Sequence, residues 1–171
     1  KMSSEAEIKS INDDIVRRFA VIESRLKVCS SITAFFETLL EEAEQQFKIP
    51  FVWLSLINEE KNDWLIAEVK TSPKLRERLN LVERNLWKNL VSDGAKPLLI
   101  NSGLKPYFKL FPDGKKYFIK SIAIVPLRIN GDVIGSWNNA DAFSERYQPE
   151  MDTDVLRKFV QFVSRCLSEL S

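Results

Sequence analysis

Residues 121–141, SIAIVPLRINGDVIGSWNNAD, constrain the fold more than any other stretch of the chain. Two β-patterned runs flank Asn130-Gly131, a pair suited to a type I′ turn, whose two central residues both need positive φ. The spacing predicts hairpin arms over 119–128 and 132–139. An amphipathic helix follows from about Glu150 to Leu170, with an apolar arc wider than a surface helix needs. One flank of that arc can cover the sheet while the other meets a second helix.

The N-terminal run supplies a candidate for that second helix. From Ser4 to about Cys29, Ile8, Ile11, Ile15, Phe19, Ile22 and Leu26 recur every three or four residues, one stripe along a helix with charges on the other side. Two readings of the stripe stand open. It packs on the chain's own core, or Ile8, Ile11, Ile15, Phe19 and Ile22 form a homodimer interface with a heptad-like rhythm. Residues 1–29 are therefore read as a dimerisation helix and 30–171 as the domain proper.

Ser30 and Ser31 can cap a second helix, which Pro50 ends. Residues 51–57, FVWLSLI, are apolar at every position but Ser55, the mark of a central strand covered on both faces. Trp64, Leu65, Ile66 and Val69 fit a short helix or a strand, and a cap at Asn62 or Asp63 favours the helix. Ser72-Pro73 opens another helical turn through Arg78, residues 83–92 a further helix, and Gly94 and Pro97 mark a stop before a strand at 97–101. The expected fold is mixed α+β, a central antiparallel sheet flanked by helices, with the long first helix near the last.

Composition narrows the function. With 25 basic and 24 acidic residues the net charge is +1, which gives no global attraction to nucleic acid or an anionic membrane. The chain has no histidine, so the commonest general base and metal ligand is missing. Cys29 and Cys166 lie far apart in helical patterns and read as reduced, partly buried thiols rather than a disulfide or zinc framework. No run approaches the roughly 18 apolar residues of a membrane helix, and a cytoplasmic protein is expected. No P-loop or GxGxxG occurs, and Glu150, Asp152 and Asp154 read as a cap and dipole complement for the last helix.

The strand ending in Val125-Pro126-Leu127, the Gly turn, the arm with Val133-Ile134-Gly135 and the terminal helix together resemble the C-terminal half of a GAF domain. IVRRFAVIESRL, FVWLSLI, LKPYF and YFIKSIAIVPLRINGDVIGS extend the resemblance over most of the chain, to a bacterial branch of GAF-like proteins of unknown function. The resemblance implies a non-catalytic module that senses a small molecule and dimerises. The superfamily's known chemistries do not carry over. Bilin attachment uses cysteine near histidines, the cyclic-nucleotide pattern Asn-Lys-Phe-Asp-Glu is absent, and the free-methionine-sulfoxide reductases use cysteines clustered in loops. No cofactor or metal is expected, and the chain is read as not an enzyme.

Segment 104–120, LKPYFKLFPDGKKYFIK, interleaves five lysines with aromatics. It precedes the hairpin, where GAF domains carry the lid over their ligand. Lys105, Tyr107, Phe108 and Tyr117 would close over a flat anionic molecule, or the rings plug the core while Lys109 and the other lysines stay solvated. Single-stranded nucleic acid is a weaker third reading. Beneath the lid, Trp53, Ser55, Asn101, Ser121, Ala123 and Asn138 would form the floor. Trp137 and the Asn138-Asn139 pair depart from the usual apolar arm and mark either a polar floor or a strand near the sheet edge. The alternative function is a dimerisation scaffold with a self-filled pocket and no ligand.

Overall fold

A computed structural model describes residues 4–92, 96–112, 114 and 117–171. The expectations for Gly94, Asp113, Lys115 and Lys116 lie outside the described residues. Elements follow in the order α1 (Glu5–Leu26), α2 (Ile32–Phe47), β1 (Phe51–Ile57), α3 (Asp63–Lys70), α4 (Pro73–Arg76), β2 (Leu79–Val82), α5 (Arg84–Val91), β3 (Leu98–Ile100), β4 (Ser121–Ile129), β5 (Asp132–Asp141) and α6 (Asp154–Leu170). A short 3-10 helix, Lys105–Leu110, precedes β4.

The hairpin sets the sheet. Asn130 at φ 50° and Gly131 at φ 85° form the two-residue turn between the register partners Ile129 and Asp132, and positive φ at both positions matches the expected turn. Strand order is β2-β1-β5-β4-β3, antiparallel except for β1 and β2. Strand β2 is the element that the sequence pattern does not announce. Only four residues long, it runs parallel to β1 in the register Leu54 with Leu79 through Ile57 with Val82.

Because β5 is the middle strand of five, Trp137, Asn138 and Asn139 do not mark an edge. Strand side chains alternate between faces, and the two faces bury different partners. Val52, Leu54 and Leu56 of β1, Val125, Leu127 and Ile129 of β4, and Trp137 of β5 join one core with α1, α2, α3 and α6. Trp53, Ile57, Ile122, Ile124 and Ala140 join the other, with Trp87, Val91, Leu110 and Phe111. The first is the helical face of the sheet and the second the opposite face.

Ser31 caps α2 as expected, accepting from the Ala34 amide at 3.1 Å, and Lys48 in a left-handed conformation ends the helix before Pro50. Two expectations shift. The last helix starts at Asp154 rather than near Glu150, with Asp152 Oδ1 accepting from the Asp154 amide at 2.8 Å. Cys29 lies in the α1–α2 connection rather than in a helix, where its amide donates to the Leu26 carbonyl at 3.1 Å in a tight turn that closes the end of α1.

Helix α5 is tied to the loop after β1 by Arg84, whose Nε lies 2.6 Å from Glu59 Oε2 while its Nη2 reaches Oε1. The guanidinium holds the Glu59 carboxyl below its ordinary value of 4.5. A depressed carboxylate adds stability above its unfolded pKa, and that increment is lost as pH falls through the lower folded value. Arg84→Met is expected to cost up to about 1 kcal/mol at pH 7 and less below about pH 4.5. Urea unfolding of both proteins at the two pH values reads the difference, and an equal cost at both would assign the effect to lost packing.

Candidate functional site

On the opposite face, five of the residues singled out from sequence meet. Trp53 Nε1 donates to the Leu110 carbonyl at 2.6 Å, and Trp53 is 1 % exposed. The Ser55 hydroxyl lies 3.0 Å from Asn80 Oδ1 and 3.2 Å from the same Leu110 carbonyl, and it accepts from Asn138 Nδ2 at 3.0 Å. Tyr107 and Phe108 are half-buried against this cluster, and Phe111 meets Trp53 edge-on with ring centroids 5.8 Å apart. Nearby, Trp87 Nε1 donates to Ser136 Oγ at 3.2 Å.

The segment therefore closes over the sheet by hydrogen-bonding its own backbone to the floor. Leu110 and Phe111 fill the space that a lid would cover. One group is left over: Asn138 is fully buried and its Oδ1 has no protein partner.

The other five residues are elsewhere. Lys105, with Lys109 and Lys120, is exposed, and so is Tyr117. Asn101 donates from Nδ2 to the Ser144 carbonyl at 3.1 Å, tying the end of β3 to the loop after β5. Ser121 and Ala123 point to the helical face, since their register partners Asp141 and Asn139 share it with Trp137. Side chains two apart on β4 share a face, whereas Trp53 and Ser55 pair with Asn138 and Ser136 on the other side. The floor drawn from sequence thus spans both faces of one sheet.

The helical face carries a cavity that sequence reasoning missed. About 360 Å³ opens between the sheet, α1 and the start of α6. Ala123, Trp137 and Asn139 form its floor, and Ile15, Phe19, Phe47 and Leu156 its walls. Both Trp137 (2 % exposed) and Asn139 (3 % exposed) keep an unpartnered buried atom, the indole Nε1 and the amide Oδ1. The available signal was the Asn138-Asn139 pair itself. Adjacent residues of a central strand face opposite sides, so each side of the sheet receives one buried amide.

At the mouth, Arg146 Nη1 lies 3.2 Å from Asp141 Oδ2, and Nη2 donates to the Phe47 carbonyl. The guanidinium also sits 5.7 Å from the centre of the Tyr147 ring. Burial pushes the Tyr147 phenol up to about 12, so it stays neutral at physiological pH. Among the described residues, no three His, Cys, Asp or Glu side chains are grouped to hold a metal ion, and no helix is long and apolar enough to cross a membrane. Cys29 and Cys166 are free thiols, each half-buried.

No family model matches the sequence, and no curated protein matches it. Solved structures do match in three dimensions. The GAF domain from Acinetobacter phosphoenolpyruvate-protein phosphotransferase is similar over 98 % of this chain and 93 % of its own, with a TM-score of 0.59 at 13 % identity. Free methionine-R-sulfoxide reductase from Neisseria meningitidis, in complex with its substrate, is similar over 99 % of this chain and 94 % of its own, with a TM-score of 0.57 at 14 % identity. At those identities the likeness is one of architecture, and the fold of this chain is GAF-like.

Proposed function

We propose that this chain is a non-catalytic regulatory domain that acts through a helical homodimer interface on α1. The observation that carries the reading is the division of α1 into two halves. Ile22 and Leu26 are sealed in the core, whereas Ile8 is 49 % and Ile11 56 % exposed on the same stripe. Ile22 therefore cannot meet a second copy, and the interface reduces to Ile8, Ile11 and the half-buried Ile15 and Phe19. Exposed apolar residues in a row favour a partner. Phe19 is the link to the domain, with its ring centroid 4.8 Å from that of Phe47 and 4.6 Å from that of Phe159.

The self-filled opposite face favours this interaction-module form over an anionic planar ligand beneath residues 104–120. A ligand there would have to displace Leu110 and Phe111 and break the Trp53 hydrogen bond. Exposed lysines ask for no counter-charge. The absence of histidine and the separation of the two cysteines along the chain support the non-catalytic reading.

Sedimentation at micromolar concentration is expected to give twice the chain mass of 19.8 kDa. Ile11→Glu is expected to give the monomer with little change in thermal unfolding, because Ile11 contributes nothing to the core. A monomeric parent protein would remove the dimer reading.

A further inference from the structure

We infer that the groove between α6 and the outer edge of β4 docks an extended, acidic segment of a partner protein. None of its lining residues belongs to α1, so it does not depend on the dimer reading. The topology opens it. Strand β3 covers β4 only from Ile122 to Ile124, so among the described residues the edge from Pro126 onward has no strand beside it. Helix α6 runs along that edge instead and leaves a groove of about 730 Å³. Arg157, Gln161 and Arg165, four residues apart, are exposed and form its rim, while Val160, Ser164 and Ser168 are half-buried and form its floor. From Arg157 to Glu169 the helix rises about 18 Å, the reach of about five extended residues.

Charge defines the occupant. Among the described residues that line the groove, Lys96, Arg128, Arg157 and Arg165 are basic and Glu169 alone is acidic, in a chain whose net charge is only +1. Elsewhere the fold neutralises its arginines locally. Arg17, Arg18, Arg25, Arg78, Arg84 and Arg146 each lie within ion-pair distance of a carboxylate. In the groove, Lys96 and Arg165 have no ion pair among the described residues, and Arg157 reaches only Asp154, at 3.7 Å within its own helix. An incoming carboxylate therefore meets cations without displacing an internal partner from Lys96 or Arg165.

Recognition falls to these side chains because the backbone edge is spent. Pro126 has no N–H, the Arg128 amide donates to Ser164 Oγ at 3.4 Å, and the Asn130 amide donates to Ser168 Oγ at 2.9 Å. Addition of a strand to β4, which draws on open main-chain donors, is thus disfavoured. No aromatic ring lines the groove, so the bases of a nucleic acid would have nothing to stack on. Arg157 and Arg165 stand about 12 Å apart along the helix axis. A row of carboxylates meets both, where one compact anion meets one.

An acetylated and amidated hexaglutamate peptide is the probe, with the hexaglutamine peptide, triphosphate and single-stranded DNA as comparisons. At about 0.1 M salt, hexaglutamate is expected to shift the backbone amide signals of residues 127–131 and 157–169, with a Kd on the order of 1 mM because exposed ion pairs are individually weak. Hexaglutamine should leave them in place. Raising the salt to about 1 M shortens the screening length from about 10 Å to about 3 Å and should abolish the response. Arg165→Glu should weaken hexaglutamate about fivefold, with thermal unfolding unchanged because Arg165 is exposed. Gln161→Trp blocks the groove without altering charge and should abolish binding. Lys70→Glu makes the same charge change at the exposed end of α3, outside the groove, and should alter the Kd by less than about twofold.

No shift in those two segments, an equal response to hexaglutamine, or equal effects of Arg165→Glu and Lys70→Glu would overturn the inference. Tighter binding of triphosphate at the same residues would assign the groove to a compact anion, and tighter binding of single-stranded DNA would assign it to nucleic acid. Either result would overturn the acidic-segment reading.

Discussion

Gly135→Ala is expected to lower the free energy of unfolding by more than about 4 kcal/mol, in the exceptional tail of single substitutions. Gly135 lies in the middle strand at φ 145°, opposite Leu56 of β1 and Leu127 of β4. A Cβ there would sit 2.0 Å from the Ser55 carbonyl oxygen and 2.9 Å from the Leu56 Cα. Both are backbone atoms of the neighbouring strand, so no side chain can swing aside. Relief would require β1 and β5 to part, and both faces of the sheet pack against that pair. Gly131→Ala is the control. It also carries a positive φ, of 85°, but has nothing within 4 Å of the added methyl, so only the left-handed backbone cost of about 1–2 kcal/mol is expected. Urea unfolding followed by tryptophan fluorescence measures both. A cost for Gly135→Ala no larger than that for Gly131→Ala would mean that the strands yield more easily than their packing implies.

The Asn130-Gly131 turn and the all-apolar run 51–57 are local signals, and both elements appear where the pattern puts them. Strand β2 is not local. Leu79–Val82 becomes a strand because β1 offers it a free edge, with the Leu54 amide donating to the Arg78 carbonyl at 2.9 Å and the Asn58 amide to the Val82 carbonyl at 2.8 Å. Four residues carry too little periodicity to reveal such a pairing. The same limit explains α1. Its stripe is continuous in sequence, yet only the structure tells where packing ends, and Ile22 changes from a possible contact to a sealed core residue.

The site was legible in kind but not in place. Polar residues in apolar strands were the right signal, and Ser55, Asn138 and Asn139 are all buried. Which side of the sheet each faces depends on register and on strand order. Ser121 and Ala123 alternate correctly with Ile122 and Ile124, but the sequence alone does not say which alternate set shares a face with Trp53. The lysine-rich segment misled through composition. Tyr107, Phe108, Phe111 and the Leu110 carbonyl do the packing, whereas Lys105, Lys109 and Lys120 stand exposed.

Trp53→Ala is the second substitution expected to have a large effect, at about 3–5 kcal/mol, from loss of a fully buried ring and the cavity left behind. The more informative variant is Trp53→Phe. It keeps most of the ring and removes the indole N–H that the Leu110 carbonyl accepts at 2.6 Å. An unpaired buried carbonyl costs about 1–3 kcal/mol, but here a substitute is at hand. The Ser55 hydroxyl, 3.2 Å from the same carbonyl, has a single proton that it can direct either there or to Asn80 Oδ1. With Trp53 present that proton is free to serve Asn80. Without the indole it can turn to Leu110, and Asn80, at the half-buried edge strand, can use water. Trp53→Phe alone should therefore cost less than about 2 kcal/mol. Ser55→Ala alone should also be mild at Leu110, since the indole remains. The double variant leaves the carbonyl with neither donor, so its cost should exceed the sum of the two by about 1 kcal/mol or more. Hydrogen exchange over residues 105–111 should rise in the double variant well beyond either single one, because both side-chain donors to the Leu110 carbonyl are then gone. Additive stabilities with unchanged exchange would mean that Phe108, Leu110 and Phe111 hold the segment by burial, and that the hydrogen bonds to the sheet floor are incidental to its closure.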